Sequence, residues 1–486
     1  MTNELMMNYI FSNQLKVLTA ISKMDLGQIR HVYFLGIGGI GMSALARWFK
    51  ANGYDVAGYD RTPTPLTREL EQEGIAVHFE DRVEDIPSAV RSDREKTLVV
   101  YTPAIPASHL EYNYLKEQEY TIQKRSQVLG TLTASLYTVA VAGTHGKTTT
   151  SSMVAHLLKH AGRNCTAFLG GITQNYGTNM LLNEAGQGLD KVICVVEADE
   201  YDRSFLTLHP DLAIVTSTDA DHLDIYGHKD ALRQSFRDFV GQIKSEGKLF
   251  IREGLQLLEE GAGIRCEEYA LNKGNYRAEN VRTENVRFVF DLVSPSITIR
   301  DIRMRVPGFH NVENALAAAA VALHLGLEAD EIRAALGSYR GVKRRFEYIL
   351  QSEQTVFIDD YAHHPTEIEA FLKSVRALYS NREITAVFQP HLFSRTRDFA
   401  DGFAESLSLA DRLLLMEIYP AREQPIAGVN AQMILDKVTL PDKRLCTREE
   451  LPGLVRQLQP SILVTIGAGD IDQCVLPLKE ALSKEL

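Results

Sequence analysis

The chain has 486 residues, 45% hydrophobic and 24% charged, an ordinary globular make-up with room for about three domains. Its 63 acidic against 52 basic residues leave a formal net charge of −11, with no long basic run, which excludes a general nucleic-acid surface. Five cysteines, at 165, 194, 266, 446 and 474, show no Cys-x-x-Cys spacing, so neither a disulfide framework nor a zinc site is expected and a reducing compartment fits.

Residues up to about Arg30 read as a polar helical leader, with no basic start ahead of an unbroken apolar core. The most apolar segment, Leu316 to Leu325, is too short to span a bilayer. The expectation is a cytoplasmic protein without membrane insertion. A first strand, His31 to Leu35, runs into Gly36-Ile-Gly-Gly-Ile-Gly41 and a helix from Met42 to Asn52. A second strand, Asp55 to Tyr59, ends on Asp60. Gly36, Gly38, Gly39 and Gly41 with an acid about twenty residues on form a dinucleotide-binding fingerprint in its proper setting. Taken alone it points to NAD. The physics is broader: such a loop binds any diphosphate and the acid any ribose or base edge, so a nucleotide-sugar diphosphate satisfies both. Strand Thr97 to Tyr101 then meets a proline-marked loop, Thr102 to Pro106, where open α/β sheets place ligands.

Around Ser126 to Ser135 the chain hands over to a second domain. There Val139, Ala140 and Val141 end a buried strand, Gly143-Thr144-His145-Gly146-Lys147-Thr148-Thr149 turns, and Ser151 to Lys159 continues as a helix. Strand, glycine turn and helix start make a phosphate cradle, with inward N–H groups and roughly half a positive charge at the helix end. Lys147 can reach the outer phosphates and the Thr148 hydroxyl a magnesium ion. Val141 stands where the full Walker spacing has glycine. Two strands, Val192 to Val196 and Leu212 to Thr216, end in acidic clusters, Glu197 to Asp202 and Ser217 to His222. In a parallel sheet both fall at the carboxyl edge beside the phosphate loop, where Glu197 and His222 can hold magnesium. A hairpin region spans about Val286 to Val306, and Asn311 suits the N-cap of the Ala-rich helix that follows. Asn314 can also reach a purine edge. The third domain opens near Gly341, with strands Thr355 to Ile358, Ile384 to Phe388 and Ile462 to Ile466 and a helix from Thr366 to Tyr379. Its strand ends carry Asp360, His391 and Arg395. The fold expected is α/β: a Rossmann-like domain at 1–130, a phosphate-loop domain at 131–340 and a second Rossmann-like domain at 341–486. A three-domain enzyme that uses ATP to join two substrates fits these pieces.

In order along the chain, Gly143-Thr-His-Gly-Lys-Thr-Thr149, Glu197-Ala-Asp-Glu200, Ala220-Asp-His222, His310-Asn-Val-Glu-Asn314 and Asp359-Asp-Tyr-Ala-His-His-Pro365 resemble the Mur ligase family. Gly36 to Ser43 and Gln389-Pro-His-Leu-Phe-Ser-Arg-Thr396 resemble the branch that attaches L-alanine to UDP-N-acetylmuramate in cell-wall precursor synthesis. That resemblance implies ATP and Mg2+ as cofactors and an acyl phosphate intermediate. It implies Lys147 on the β- and γ-phosphates, Thr148 and Glu197 on one magnesium and His222 on a second. Asn311 and Asn314 match the adenine contacts, Arg345 a phosphate contact and Asp360 the ribose ligand. The glycines from Gly36 to Gly41 and Asp60 take the UDP end, with His391 and Arg395 near the amino acid. Leu392 and Phe393 depart from the Arg-Tyr usual in that branch. Three rivals stay open at this stage: a muropeptide-recycling ligase of the same family, an NAD-dependent dehydrogenase and a non-catalytic nucleotide-binding regulator. Monomer and homodimer are equally compatible with the sequence.

Overall fold

Apolar strands alternating with amphipathic helices bury most surface as parallel sheets covered on both faces. The computed structural model describes residues 26–184, 191–201, 203–219, 226–258, 263–421 and 423–483. The expected leader up to residue 25, and His222, lie outside them; Leu26–Gln28 is a single 3-10 turn. The chain divides into two compact units, one of Met1–Lys147, Gly162–Gly170 and Thr178–Glu267, the other of Thr148–Ala161, Gly171–Gly177 and Glu268–Leu486.

In the first unit, β1 (His31–Leu35), β2 (Asp55–Tyr59), β3 (Ala76–His78), β4 (Thr97–Tyr101) and β5 (Thr121–Lys124) pair in parallel in the order β3-β2-β1-β4-β5. The order reverses between β1 and β4, which places the ligand crevice outside their carboxyl ends. Helix α1 (Ile40–Ala51) starts at Ile40 rather than Met42. Gly36, at φ +88, turns the chain at once, and a Cβ there would lie 2.5 Å from Thr102 Cγ2. The buried face of α1 carries Met42, Leu45, Trp48 and Phe49, with the Trp48 ring edge-on to Phe49 at 5.2 Å. These side chains share one core with Val32, Phe34, Ala140 and Val196.

Helix α2 (Arg125–Ser135) leads into β6 (Tyr137–Ala142). The rest of that unit's second sheet is β7 (Cys165–Phe168), β8 (Met180–Leu181), β9 (Ile193–Glu197), β10 (Leu212–Val215) and β11 (Lys248–Arg252), in the order β11-β10-β6-β9-β7-β8. Only β8 runs antiparallel to its neighbour there. Helix α3 (Lys147–His160) follows β6, and from Thr148 onward it belongs to the second unit.

Strand β12 (Arg265–Ala270) belongs to the second unit from Glu268 onward, where it meets β13 (Tyr276–Glu284) through Ala270 and Arg277. The expected hairpin is β14 (Arg287–Val293) and β15 (Thr298–Met304), antiparallel to each other, with β14 also antiparallel to β13. Helices α4 (Phe309–His324) and α5 (Ala329–Ser338) follow. The last sheet contains β16 (Glu347–Gln351), β17 (Val356–Asp360), β18 (Ile384–Phe388), β19 (Arg412–Leu415), β20 (Asp442–Leu445) and β21 (Ile462–Ile466). Its order is β16-β17-β21-β18-β19-β20, with only β16 antiparallel. Helix α6 (Pro365–Leu378) covers it after β17, and α7 (Phe393–Leu407) after β18. Both open within five residues of a strand end, so short loops carry the polar residues at the sheet edge. All five cysteines are free thiols, four of them buried. Among the described residues no helix is long and apolar enough to cross a membrane.

Candidate active site

Parallel register sets the geometry of the phosphate loop. Val141 of β6 faces Glu197 of β9, and Ala142 faces Val215 of β10, so the loop and both acidic strand ends leave the sheet on one edge. Gly143 adopts φ +132, and a Cβ on it would lie 2.0 Å from Thr216 Oγ1 and 2.8 Å from Ser217 N. Only glycine lets the loop press onto the end of β10. The Thr144 hydroxyl donates to Asp219 O at 3.0 Å, and the His145 N–H donates to Ser217 Oγ at 2.8 Å. His145 Nε2 also sits 3.4 Å from Asp219 Oδ2. Gly146, at φ +83, completes the turn.

The Lys147 ammonium folds back inside this turn. It donates to Gly143 O at 2.8 Å and lies 2.7 Å from Glu200 Oε2 and 3.0 Å from Oε1. Glu200 is fully buried, and its carbonyl accepts from the Tyr226 hydroxyl at 2.5 Å. Burial disfavours the ammonium, but the Glu200, Asp199 and Glu197 charges outweigh it and hold Lys147 above the ordinary lysine range. Glu200 escapes sequence reasoning because Glu197-Ala-Asp-Glu200 presents three acids of equal standing. Only the fold shows which one turns inward. Glu197 instead accepts from Gly170 N at 2.8 Å, in a cradle that a Cβ at Gly170 would fill at 2.4 Å. Thr148 and Thr149 lie in the second unit, in the first turn of α3. No group of three or more His, Cys, Asp or Glu able to cage a metal occurs among the described residues. Magnesium keeps its waters and takes one or two carboxylates plus phosphate oxygens, so Glu197 as a lone carboxylate ligand fits it.

At the other glycine turn Asp60 braces the loop. Its Oδ2 accepts from Gly38 N at 2.7 Å and its Oδ1 from Thr62 N at 3.1 Å. Gly39 takes the N-cap of α1 with no side-chain cap, which leaves the first-turn N–H groups facing the crevice. Gly41 lies against Arg125.

The second unit gathers the remaining expected residues. Asn311 does not cap a helix: α4 begins at Phe309, with Gly308 at the N-cap position. The φ of +119 at Gly308 is open to glycine, so the chain turns before Asn311 is reached. Asn311 donates instead to Pro307 O at 2.7 Å and accepts from Asn314 Nδ2 at 3.3 Å, which joins the two amides in the first turn. Asp360 accepts from Phe346 N at 2.7 Å and Ala362 N at 2.8 Å. Burial pushes its carboxyl up to about 7, against the pull of Arg345 and the two backbone donors. Arg345 lies over the Tyr361 ring at 4.9 Å and 3.9 Å from Glu367. The His391 ring stacks on Tyr419 at 5.7 Å, and Arg395 is buried in the first turn of α7. Leu392, just before that helix, has φ +71, and Glu423 accepts from Ser394 N at 3.0 Å in the absence of a side-chain N-cap. The Gln389 to Thr396 segment and the loop after Ile418 are thus folded onto each other.

Three family models match the chain in succession: "Mur ligase family, catalytic domain" over residues 31–137, "Mur ligase middle domain" over 141–322, and "Mur ligase, glutamate ligase domain" over 344–469. A UDP-N-acetylmuramate–L-alanine ligase of Flavobacterium johnsoniae is 51% identical over 464 residues, 95% of this chain and 100% of its own length. One of the same name from Cytophaga hutchinsonii is 48% identical, over 94% of this chain and 97% of its own. Among solved structures, UDP-N-acetylmuramate-alanine ligase MurC from Thermotoga maritima has a TM-score of 0.74 at 28% identity, covering 94% of this chain and 100% of that one. A murein peptide ligase from Psychrobacter arcticus shares the fold, with a TM-score of 0.61 at 24% identity over 94% and 99% of the two chains. The chain is a ligase of three-domain α/β architecture and belongs to the Mur ligase family.

Proposed function

We propose that this ligase joins L-alanine to the lactyl carboxylate of UDP-N-acetylmuramate, with ATP converted to ADP and phosphate. The observation that carries the reading is the Lys147 loop beside Glu197 on one strand edge, in a chain about half identical throughout to ligases of that name. A dehydrogenase would use the glycine turn after β1 and leave this second edge without a purpose. A regulator would not need it to be matched to a carboxylate.

The lactyl carboxylate attacks the γ-phosphate, forming an acyl phosphate and releasing ADP. The alanine amine then attacks the acyl carbon, and phosphate leaves from the tetrahedral intermediate as the amide bond forms. Lys147 neutralises the β- and γ-phosphates, which is most of what phosphoryl transfer asks of a protein. Thr148 and Glu197 would hold Mg2+, with His222 at a second ion; bound there, the metal supplies charge neutralisation between the phosphates and the acceptor. The Gly143 to Thr149 backbone cradles the triphosphate. Asn311 and Asn314 take the adenine edge, Asp360 the ribose and Arg345 a phosphate. The glycines from Gly36 to Gly41, braced by Asp60, take the UDP end. His391 and Arg395 position the amino acid, with Arg395 pairing its carboxylate. We propose domain boundaries at 1–130, 131–340 and 341–486, and a cytoplasmic location.

The test is ADP release in the presence of magnesium, ATP and UDP-N-acetylmuramate, with L-alanine or the L-Ala-γ-D-Glu-diaminopimelate tripeptide added in parallel. Turnover with alanine is expected. Turnover with the tripeptide alone would make the protein a recycling ligase, and none with either would return the dehydrogenase and the regulator.

A further inference from the structure

Residues 171–175 and 338–343, far apart in the chain, run side by side within the second unit. Thr173 and Val342 form an antiparallel bridge, with Gln174 N donating to Gly341 O at 2.9 Å on one side and Lys343 N to Ile172 O at 2.9 Å on the other. Asn175 extends this ladder with its side chain: Nδ2 donates to Ser338 O at 3.0 Å and Oδ1 accepts from Arg340 N at 2.7 Å. Ser338 closes α5, so its carbonyl is one that the helix itself cannot satisfy. A primary amide can meet a carbonyl and an N–H at once. The chain between α5 and Lys343 is thus fastened along its whole length.

The other side of this segment lies on α3. A Cβ at Gly171 would stand 2.6 Å from Val342 Cγ1 and 3.2 Å from Thr148 Cγ2, so a single glycine separates the first turn of α3 from the ladder. Val342 is buried and β-branched, which leaves it little freedom to swing aside. Arg345 N donates to Val342 O at 3.1 Å, tying the arginine's backbone to the residue that Gly171 meets. Further along α3, His156 Nδ1 lies 2.9 Å from the Tyr176 hydroxyl, and the Ser152 and Tyr339 hydroxyls are 2.5 Å apart. Thr148 and Arg345 therefore share one support.

We propose that residues 171–175 are a positioning strap that sets the spacing between Thr148 and Arg345, with Gly171 as its spacer and Asn175 as its clasp. The inference rests on the reading of Thr148 and Arg345 as contacts of the nucleotide and its metal, and adds residues that act through them. Phosphoryl transfer asks the protein for position more than for covalent chemistry, and a misplacement of about 1 Å can cost roughly a hundredfold in rate. Gly171 lies outside the left-handed φ region, so alanine there meets no backbone strain. The substitution instead drives a methyl group between Thr148 and Val342, a wedge that is relieved by trimming Val342.

Calorimetric titration of the full-length protein with ATP and magnesium, without acceptor, reads the strap. Gly171→Ala should weaken ATP binding by about tenfold, and adding Val342→Ala should restore most of it, with Val342→Ala alone completing the cycle. Asn175→Ala should weaken it by about fivefold, and Asn175→Asp, which keeps the acceptor for Arg340 N, by less. A segment that only stabilised the fold would lower the melting temperature and leave the affinity of the folded protein unchanged. Each titration is therefore run well below the melting temperature that ellipticity gives for that variant. Wild-type affinity in the folded Gly171→Ala and Asn175→Ala proteins, or no recovery on adding Val342→Ala, would overturn the strap. Should Gly171→Ala not fold, the two Asn175 variants decide. Wild-type affinity in Thr148→Ala and Arg345→Ala would instead overturn the reading beneath it.

Discussion

Glu200 and the outer phosphates of a nucleotide carry the same sign, and both suit the Lys147 ammonium. The buried pair at 2.7 Å therefore makes nucleotide binding an exchange of one anion for another. Replacing Glu200 with Gln leaves a buried ammonium without its neutralising charge, a change that costs about 3 kcal/mol in comparable pairs. The variant should melt at lower temperature, and ATP with magnesium should raise its melting temperature more than that of the wild type. Equal shifts in thermal melts of the two proteins would mean that Glu200 and phosphate do not compete. The sequence pattern leads directly to Lys147, since Gly-Lys-Thr-Thr after a short apolar strand has few other uses. It is silent on Glu200, whose meaning lies in a contact between segments far apart in the chain. Asp60 falls between these cases: its place in the fingerprint is legible, but its two backbone donors are visible only in the fold.

Helix α3 shows how an element with a functional start is anchored by its remainder. Within the second unit, His156 Nε2 lies 3.1 Å from Ala335 O and 3.0 Å from Ser338 Oγ of α5, while Nδ1 is 2.9 Å from the Tyr176 hydroxyl. Burial, with His160 adding to it, brings the imidazole down to about 4. The folded value lies below the unfolded one, so the unfolded chain takes up the proton first. The stability this ring contributes is complete above about pH 6.5 and is lost as pH falls towards 4, at up to roughly 1.4 kcal/mol per pH unit. Denaturant titrations between pH 4 and 7 should show that slope, and His156→Gln should flatten it. An unchanged slope would place the titration elsewhere. Element boundaries were legible to within about three residues wherever β-branched runs met glycine or proline, as at β1, β18 and β21. Where glycine freedom allowed an earlier turn, at Gly36 and Gly308, the helices start ahead of expectation.

For the molecule as a whole, alternating strands and helices determine a mostly parallel α/β protein, and polar residues collected at strand ends mark its candidate ligand edges in the sequence. The two compact units were not legible in this way, because the division cuts α3 just after Lys147, where the sequence reads as a continuous helix. Trp48 gives this division an optical consequence. It is the only tryptophan in the chain, and it is fully buried in the first unit on the helix whose N-terminus forms the glycine turn. Its emission therefore reports on the first unit alone, whereas far-ultraviolet ellipticity averages both. In urea, UDP-N-acetylmuramate should move the fluorescence transition to higher denaturant, through the linkage between binding and unfolding. A fluorescence midpoint that ignores this ligand would remove the acceptor from the first unit, and no label would be needed to find out.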